Sequence, residues 1–336
     1  MYESFFNFRS KPFELVPNPN FLFPSRSHKK AMTYLDYGIR EKVGFVLLTG
    51  EVGSGKTTLI RDLMKKLDGE ITLSKVFNTK VNAEQLIAMI NDDFGLPISG
   101  KNKVQLWREL NDFLIEQYAN GRHSVLIVDE AQNLDEELLE EVRMLSNLET
   151  DSAKLLQMIL VGQPELRKTL SRPELRQLRQ RISISYHIFP LTPKETEEYI
   201  LHRMEVAGNR DAVAFSDDTI AIIHSFSRGV PRLINIVCDF LLLSAFAEDK
   251  RELSPELVRE VVGEVEMENR YWGDEAEEAR PEDGVVARLG RLEGELAALR
   301  GGLGTEVLAE RISRLEMIIK EIAEYERMKA AGQRAD

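Results

Sequence analysis

The sequence predicts an α/β fold in which a parallel sheet flanked by helices is followed by an all-helical part. Short apolar runs alternate with amphipathic segments from Val43 onward, an alternation typical of parallel sheets. A glycine-rich loop joins the first apolar run to a helical segment, as in phosphate-binding folds. Beyond Pro190 the apolar residues recur only at helical spacing, which predicts helices without strands.

Length and composition indicate a folded, acidic protein of several units. The chain has 336 residues, of which 43% are hydrophobic, and a net charge of −12. This length predicts two or three structural units. The acidic net charge argues against broad, sequence-independent binding to DNA. It does not exclude a local basic patch. The single cysteine, Cys238, lies in an apolar run and is interpreted as a small buried hydrophobe.

Residues 1–26 are predicted to form an N-terminal arm. Four prolines and six phenylalanines lie in this stretch, so we expect an extended segment whose aromatic rings dock on the domain behind it. A helix is predicted to start after Ser27, because Ala31, Leu35 and Ile39 fall at helical spacing.

Residues 27–190 are predicted to form the α/β domain. Ligands of such sheets bind at the carboxyl ends of the strands. The strands are expected near 43–49, 71–77, 124–128, 156–161 and 184–188. The helices are expected near 56–67, 82–94, 103–120 and 135–149.

The glycine-rich loop predicts a nucleotide site. Its backbone N–H groups can curl around phosphate oxygens, and the following helix directs its positive end at the same anion. Lys56 is expected to neutralise the β- and γ-phosphates, Thr57 to place its hydroxyl on Mg²⁺, and Thr58 to lie near the α-phosphate. The residues that fit the pattern G-x-x-x-x-G-K-[ST] are Gly50, Glu51, Val52, Gly53, Ser54, Gly55, Lys56 and Thr57.

Polar residues after two later strands could complete the site. Asp129 is expected to hold Mg²⁺ through its water shell, and Glu130 to orient or deprotonate the attacking water. Gln163 is expected between the strands that carry Lys56 and Asp129, where it could touch the γ-phosphate or the water. Simple helix capping is the alternative for these side chains.

Arginines further along the chain are candidates for stabilising the transferring phosphoryl group. Arg176, Arg179 and Arg181 precede the last predicted strand, where one of them could reach a neighbouring subunit's site. Arg232 follows Pro231 at a helix start and could swing onto the phosphates as the helical part closes. Solvated helix ends and surface ion pairs are the alternatives.

The helical part is divided into a lid domain, a linker and a tail. Residues 191–270 form the predicted lid, 271–284 an acidic linker, and 285–330 a tail whose apolar residues step by three and four. Glycines interrupt this tail, so an intermolecular coiled coil and a helical hairpin within one chain both stay open. The lid helices are expected to open near Thr192, Ser216, Pro231 and Ser254.

With these motifs in order, the chain resembles the AAA+ ATPases of the general secretion pathway protein A type, closest to the branch associated with exosortase (PEP-CTERM) systems. The likeness covers roughly residues 1–270. It is carried by 5–13, 23–31, the stretch 44–58, Val128-Asp129-Glu130-Ala131-Gln132, and Leu160-Val161-Gly162-Gln163-Pro164-Glu165-Leu166.

The resemblance implies roles for the residues singled out above. It places Walker A at 50–57, Walker B at Asp129 and Glu130, sensor 1 at Gln163 and sensor 2 at Arg232. Arg181 is the nearest match to an arginine finger. The resemblance also implies a helical lid from about 192 and assembly into a homo-oligomeric ring or filament with ATP at each subunit boundary.

The tail departs from the family pattern. Secretion ATPases of this type continue into a membrane span and a periplasmic peptidoglycan-binding domain, whereas a charged helical tail is predicted here. A peptidoglycan role is therefore not carried over.

The favoured hypothesis is a Mg²⁺-dependent ATPase that drives or regulates assembly of an envelope export or exopolysaccharide system through protein partners. We expect a cytoplasmic protein, or one held peripherally at the inner membrane by partners, since no transmembrane segment or signal peptide is recognised. The rival is a DNA-binding ATP switch akin to transposition or replication-initiation regulators. A scaffold built on the tail is a third reading, and nucleic acid is not the favoured partner.

Overall fold

The computed structural model describes residues 2–67, 71–77, 81–150 and 153–273. The chain divides into a compact unit, Met1–Glu266, and a second unit, Met267–Asp336, of which only the end of one helix is described. The predicted tail at 285–330 and the linker beyond residue 273 lie outside the described residues. Among the described helices, none is both long and apolar enough to cross a membrane.

The centre of the first unit is a five-stranded sheet in which every strand pair is parallel. Its spatial order is β2-β3-β4-β1-β5. This arrangement confirms the predicted fold class. The strands are β1 (Phe45–Gly50), β2 (Ile71–Val76), β3 (His123–Val128), β4 (Leu156–Gly162) and β5 (Ile182–Ile188).

The three inner strands are buried along their whole length, as expected where helices cover both faces of a parallel sheet. Alternate side chains of β1 enter different apolar clusters: Leu47 belongs to one, and Val46 and Leu48 to the other. The edge strand β5 alternates exposed and partly buried residues instead. Successive side chains of a strand point to opposite faces of the sheet, so the apolar residues are shared between the two faces.

Helices cover both faces of this sheet. Two of them begin at complete capping boxes, in which Asn82 and Asn102 bond the backbone of Gln85 and Gln105 and receive a bond in return. After the N-terminal α1 (Tyr2–Phe5), the helices are α2 (Arg26–Arg40), α3 (Lys56–Lys66), α4 (Ala83–Asp93), α5 (Lys103–Ala119), α6 (Glu136–Leu145), α7 (Pro164–Leu170) and α8 (Arg176–Arg181).

Two details of the predicted helices were wrong. Helix α2 begins at Arg26, before the expected start after Ser27, because the hydroxyl of Ser25 caps it by accepting from the His28 backbone N–H. The prediction also contained no helix at α7 or α8. Each has only a few residues, too short for an apolar period to show.

Four helices follow the sheet, in the part of the chain that is predicted to be the lid and is called the lid below. They are α9 (Pro193–Val206), α10 (Asp217–Ser227), α11 (Pro231–Ala247) and α12 (Pro255–Gly273). The capping box of Thr192 and Glu195 is present, and Ser216 caps α10. Helix α12 continues to Gly273, three residues into the predicted linker. Cys238 is fully buried in α11, and burial raises the pKa of its thiol, as expected for an apolar role.

The N-terminal arm packs on the lid rather than on the sheet. Its buried aromatic residues Tyr2, Phe6, Phe8 and Phe13 belong to the same apolar cluster as the core of the lid helices. The buried guanidinium of Arg203 on α9 adds hydrogen bonds to the backbone carbonyls of the arm at Pro12 and Glu14. The first residues of the chain therefore complete a core that is built about two hundred residues later.

We predict that Phe6→Ala destabilises the protein by about 3–5 kcal/mol, because the ring is fully buried and its removal leaves a cavity in the lid cluster. Urea unfolding followed by circular dichroism measures this loss. Leu15→Ala, at an arm residue that is 52% exposed, is the control and should change stability little. A loss below about 1 kcal/mol for Phe6→Ala would show that the arm is not part of the cooperative core.

Candidate functional site

The glycine-rich loop runs from the end of β1 to the start of α3. Gly53 and Gly55 adopt φ values of 76° and 91°, a left-handed conformation that favours glycine. The buried side chain of Lys56 turns back into the loop and donates to the backbone oxygens of Gly50 at 2.8 Å and Glu51 at 3.0 Å. Burial lowers the pKa of Lys56, while the charges of the acidic residues around it act in the opposite direction.

A buried histidine supports the loop from the side of α2. The ring of His28 bonds the Ser25 side chain through Nδ1 at 2.7 Å and the backbone oxygen of Ser54 through Nε2 at 3.0 Å. A methyl group at Gly55 would approach Nε2 to 2.9 Å, so the ring and the loop are in close contact. Since only Nε2–H can donate to a carbonyl, this geometry fixes the neutral tautomer with its proton on Nε2. The sequence analysis did not single out His28, because a lone histidine carries no sign of this contact.

The aspartate that follows β3 faces the start of α3. Asp129 Oδ1 accepts the backbone N–H of Glu130 at 3.1 Å, and Oδ2 lies 3.4 Å from the hydroxyl of Thr57. A hydroxyl and a carboxylate at one point form the hard oxygen donor set that Mg²⁺ prefers. The two residues expected to hold Mg²⁺ are therefore brought together, and their chemistry fits the ion.

Two amides hold the carboxylate of Glu130. Its Oε2 accepts from Gln132 Nε2 at 2.6 Å and from Gln163 Nε2 at 3.3 Å. The Gln132 side chain also accepts the backbone N–H of Gln163 at 3.0 Å. Because β4 lies between β1 and β3, Gln163 lies between the strands that carry Lys56 and Asp129, as the sequence predicted. Its contact with Glu130 was not predicted. The sequence analysis missed the contacts of Gln132. Its position two residues after Glu130 could have indicated that the two side chains lie close together.

A buried lysine on the neighbouring strand contacts the same aspartate. Lys75 on β2 places Nζ 3.5 Å from Asp129 Oδ2, and both side chains are almost wholly buried. Burial lowers the pKa of Lys75, and the negative charge of Asp129 opposes this. Sequence reasoning did not single out Lys75, because a lone lysine in a strand resembles any edge residue.

The lid touches the glycine-rich loop through the first turn of α11. The backbone N–H of Arg232 donates to the Gly53 oxygen at 3.3 Å, and a side chain at Gly53 would overlap the Arg232 Cβ. Leu191, between the sheet and the lid, donates to the Gly229 oxygen at 2.9 Å. With a φ of 75°, Gly229 leaves no room for a Cβ against this backbone. Arg232 therefore lies at the loop, where it was predicted.

A cavity of about 390 Å³ lies between the loop, the arm and the lid. Glu130 and Gln163 line it beside the loop, and Arg232 lines it from the lid. The arm and the lid therefore close a space that begins at the glycine-rich loop. The other lining residues come from the loop (Val52, Gly53, Gly55, Lys56, Thr57, Thr58), the arm (14–18 and 21–23), His28, and the lid side (Leu191, Tyr199, Arg203, Pro231, Asn235).

The three arginines near α8 do not line this cavity. Arg181 donates to the backbone oxygen of Arg143 at 3.2 Å and also bonds the Ser146 hydroxyl. Arg179 donates to two backbone oxygens at the end of α7, and Arg176 is exposed. The structure therefore does not bring them to the Lys56 site of their own chain, and a role for Arg181 in a neighbouring subunit's site stays a prediction.

Comparison with known proteins agrees with this geometry. A family model described as an AAA domain matches residues 39–170. General secretion pathway protein A of Aeromonas hydrophila is 42% identical over 254 residues, which cover 75% of this chain and 46% of that protein. The fold is that of an AAA+ P-loop protein. Within that class the chain is similar to general secretion pathway protein A. The chain spans less than half the length of the relative it matches.

Solved structures share the fold at low sequence identity. The Aeropyrum pernix ORC2 protein, in its ADPNP–ADP complexes, has a TM-score of 0.57 at 21% identity, covering 76% of this chain and 71% of that chain. The Aeropyrum pernix ORC1 protein in complex with DNA has a TM-score of 0.55 at 15% identity, covering 92% and 87%. At such identities the likeness concerns the fold alone.

We predict that the free energy of unfolding decreases as the pH is lowered, and that His28 causes part of this decrease. Burial holds its pKa below the ordinary value, so the unfolded chain takes up a proton at a pH where the folded chain does not. The free energy of unfolding should therefore decrease as pH falls below about 6.5 and stay constant above it. His28→Gln should flatten this decrease in urea titrations performed at several pH values.

The less buried His224, whose pKa is also lowered by burial, provides the control. His224→Gln should remove a smaller part of the dependence. An unchanged slope in His28→Gln would contradict a lowered pKa of His28 in the folded protein.

Proposed function

We propose that this chain binds ATP together with Mg²⁺ and hydrolyses it. The observation that supports this most strongly is that the glycine-rich loop, Glu130, Gln163 and Arg232 all line one cavity. An anion-binding loop, a carboxylate near an amide, and a cation from the lid are the parts that phosphoryl transfer to water requires. The ORC2 relative, solved with ADPNP and ADP, shares the fold in which these parts are assembled.

The loop would hold the phosphates of ATP. Its backbone N–H groups and the start of α3 favour a polyanion, and Lys56 adds a positive charge. Thr57 and Asp129 would hold Mg²⁺, which supplies charge neutralisation at the phosphate oxygens. Arg232 would add a second cation from the lid, so that nucleotide binding and lid position are coupled.

Glu130 would orient the attacking water and accept its proton. The bonds from Gln132 and Gln163 to Oε2 fix the direction of this carboxylate, and a fixed base is more effective than a mobile one. Gln163 would also contact the water or the γ-phosphate. In this proposal Gln132 positions the base and has no contact with the reacting atoms.

A neighbouring copy would complete the site. Arg181, or one of Arg176 and Arg179, would supply a positive charge in trans, since none of them lines the cavity of its own chain. Such a site forms only in a ring or filament, so ATP binding would promote assembly and hydrolysis would reverse it. Under this proposal residues 27–190 bind the nucleotide and 191–270 act as the lid.

The cycle of ATP binding and hydrolysis would drive or regulate the assembly of an envelope export system. The support is the 42% identity to a general secretion pathway protein over most of this chain. The narrower assignment to exosortase-associated exopolysaccharide export depends on the sequence motifs alone. The tail at 285–330 would act as the adaptor to protein partners, at the cytoplasmic face of the inner membrane.

We predict that Lys56→Ala and Glu130→Gln separate binding from hydrolysis. Lys56→Ala should weaken binding of a fluorescent ATP analogue and abolish turnover, because the phosphate charge loses its partner. Glu130→Gln should bind as wild type but hydrolyse about 10²–10⁴ times more slowly, because the amide cannot accept a proton. Phosphate release assays and binding titrations measure the two effects.

Lys66→Ala is the matched lysine control, since that lysine is exposed at the other end of α3, where it pairs with Asp62. It should hydrolyse ATP like wild type. Turnover by Lys56→Ala at the wild-type rate would refute the proposed mechanism.

A DNA-binding ATP switch is the second candidate function. The ORC1 relative solved with DNA shares this fold over most of the chain. Helices α7 and α8 also present exposed cations, among them Arg167, Lys168 and Arg176. Such a patch could contact phosphates despite the acidic net charge.

We expect weak DNA binding, because the net charge of −12 opposes a polyanion. Fluorescence anisotropy of a labelled duplex, with ATP and Mg²⁺ at two salt concentrations, tests this. Binding at about micromolar affinity or tighter, with a steep salt dependence, would favour the second candidate. Arg176→Ala should then weaken that binding, whereas Arg40→Ala on α2 should not.

A further inference from the structure

Lys75 is a buried cation whose position the proposed function leaves unexplained. Its side chain is 5% exposed, and its Nζ has no hydrogen-bond partner among the described residues. The ion pair with Asp129 Oδ2, at 3.5 Å, is longer than an ordinary ammonium–carboxylate hydrogen bond. A buried charge held at such a distance is costly, which makes a purely structural role a poor explanation.

The oxygen that Lys75 faces is the one that a metal would need. Asp129 Oδ1 is directed at the backbone N–H of Glu130, so Oδ2 is the oxygen nearest to Thr57. Thr57 and Lys75 lie at almost equal distances from Oδ2, 3.4 and 3.5 Å. A divalent cation bound between Thr57 and Asp129 would therefore lie close to the ammonium and be repelled by it.

The ammonium has a second partner in the position that it occupies. Nζ lies 4.1 Å from the centroid of the Phe77 ring, within the range of a cation–π interaction. The ring is 57% exposed, so it can accept the cation without a packed core that resists movement. Lys75 can thus lose its contact with Asp129 and keep the Phe77 ring as a partner for its charge.

We propose that Lys75 is a tethered cation that competes with Mg²⁺ for Asp129, and so sets the Mg²⁺ concentration at which the site takes up nucleotide with its metal. This inference rests on the proposed nucleotide site and specifies how its metal loading is controlled. At low Mg²⁺ the ammonium neutralises Asp129. At higher Mg²⁺ the divalent ion displaces it, and the ammonium stays against the Phe77 ring.

Titration of Mg²⁺ against the full-length protein, with a fluorescent ADP analogue as the reporter, tests the proposal. Lys75→Met should lower the half-saturating Mg²⁺ concentration by about tenfold, because a unit charge near the metal is removed. Phe77→Leu should raise it by about two- to fivefold, because the displaced ammonium loses its alternative partner. ADP affinity measured in EDTA shows whether the metal-free site is intact.

Lys103→Met is the matched control, since Lys103 pairs at 2.7 Å with the largely buried Glu141, which also accepts from Trp107. It should leave the Mg²⁺ curve unchanged. An unchanged or raised half-saturating concentration in Lys75→Met, with ADP affinity in EDTA retained, overturns the proposal. If Lys75→Met does not fold, as judged by thermal unfolding, an unchanged curve for Phe77→Leu overturns it.

Failure of the proposed function gives a different result. In that case the wild-type protein does not bind the ADP analogue in EDTA or in Mg²⁺, and the inference about Lys75 is overturned together with the proposed function. Opposite shifts in Lys75→Met and Phe77→Leu support the inference, because a merely structural defect would weaken nucleotide binding with and without the metal.

Discussion

The order of the parallel strands is the constraint on which the site depends. Because β4 lies between β1 and β3, the loops that follow these three strands leave the same edge of the sheet side by side. This brings Thr57 to Asp129 and Gln163 to Glu130, although more than thirty residues separate the partners in each pair. An antiparallel strand in the middle of the sheet would send one of these loops to the opposite edge.

Segments from outside the sheet hold the glycine-rich loop in place. His28 bonds the loop oxygen at Ser54, and the first turn of α11 bonds the oxygen at Gly53. The arm is joined to the same lid through Arg203 and a shared aromatic core. Loop, arm and lid are therefore joined by direct contacts, and in the proposed function these contacts would link nucleotide binding to the lid.

The two adjacent carboxylates that follow β3 have partners that the composition does not reveal. Two amides hold the carboxylate of Glu130, whereas Asp129 faces both a hydroxyl and the ammonium of Lys75. Neighbours in sequence thus have different surroundings. The carboxylate proposed as the base is held by two neutral donors, whereas the carboxylate proposed as the metal ligand faces the cation of Lys75. Under the proposals above, this difference suits a fixed base and an exchangeable ion.

The sequence by itself determined the parallel α/β class and the helices that follow the sheet, because the local period carries that information. A short motif and the strand ends also singled out Lys56, Thr57, Asp129, Glu130 and Gln163 as the candidate site, and Arg232 at the start of its helix. Only the tertiary structure decided the contacts of His28, Gln132 and Lys75, since these depend on partners brought together by strand order and by packing against the loop. It likewise decided that the aromatic arm joins the lid, because an apolar segment carries no sign of which core it will complete.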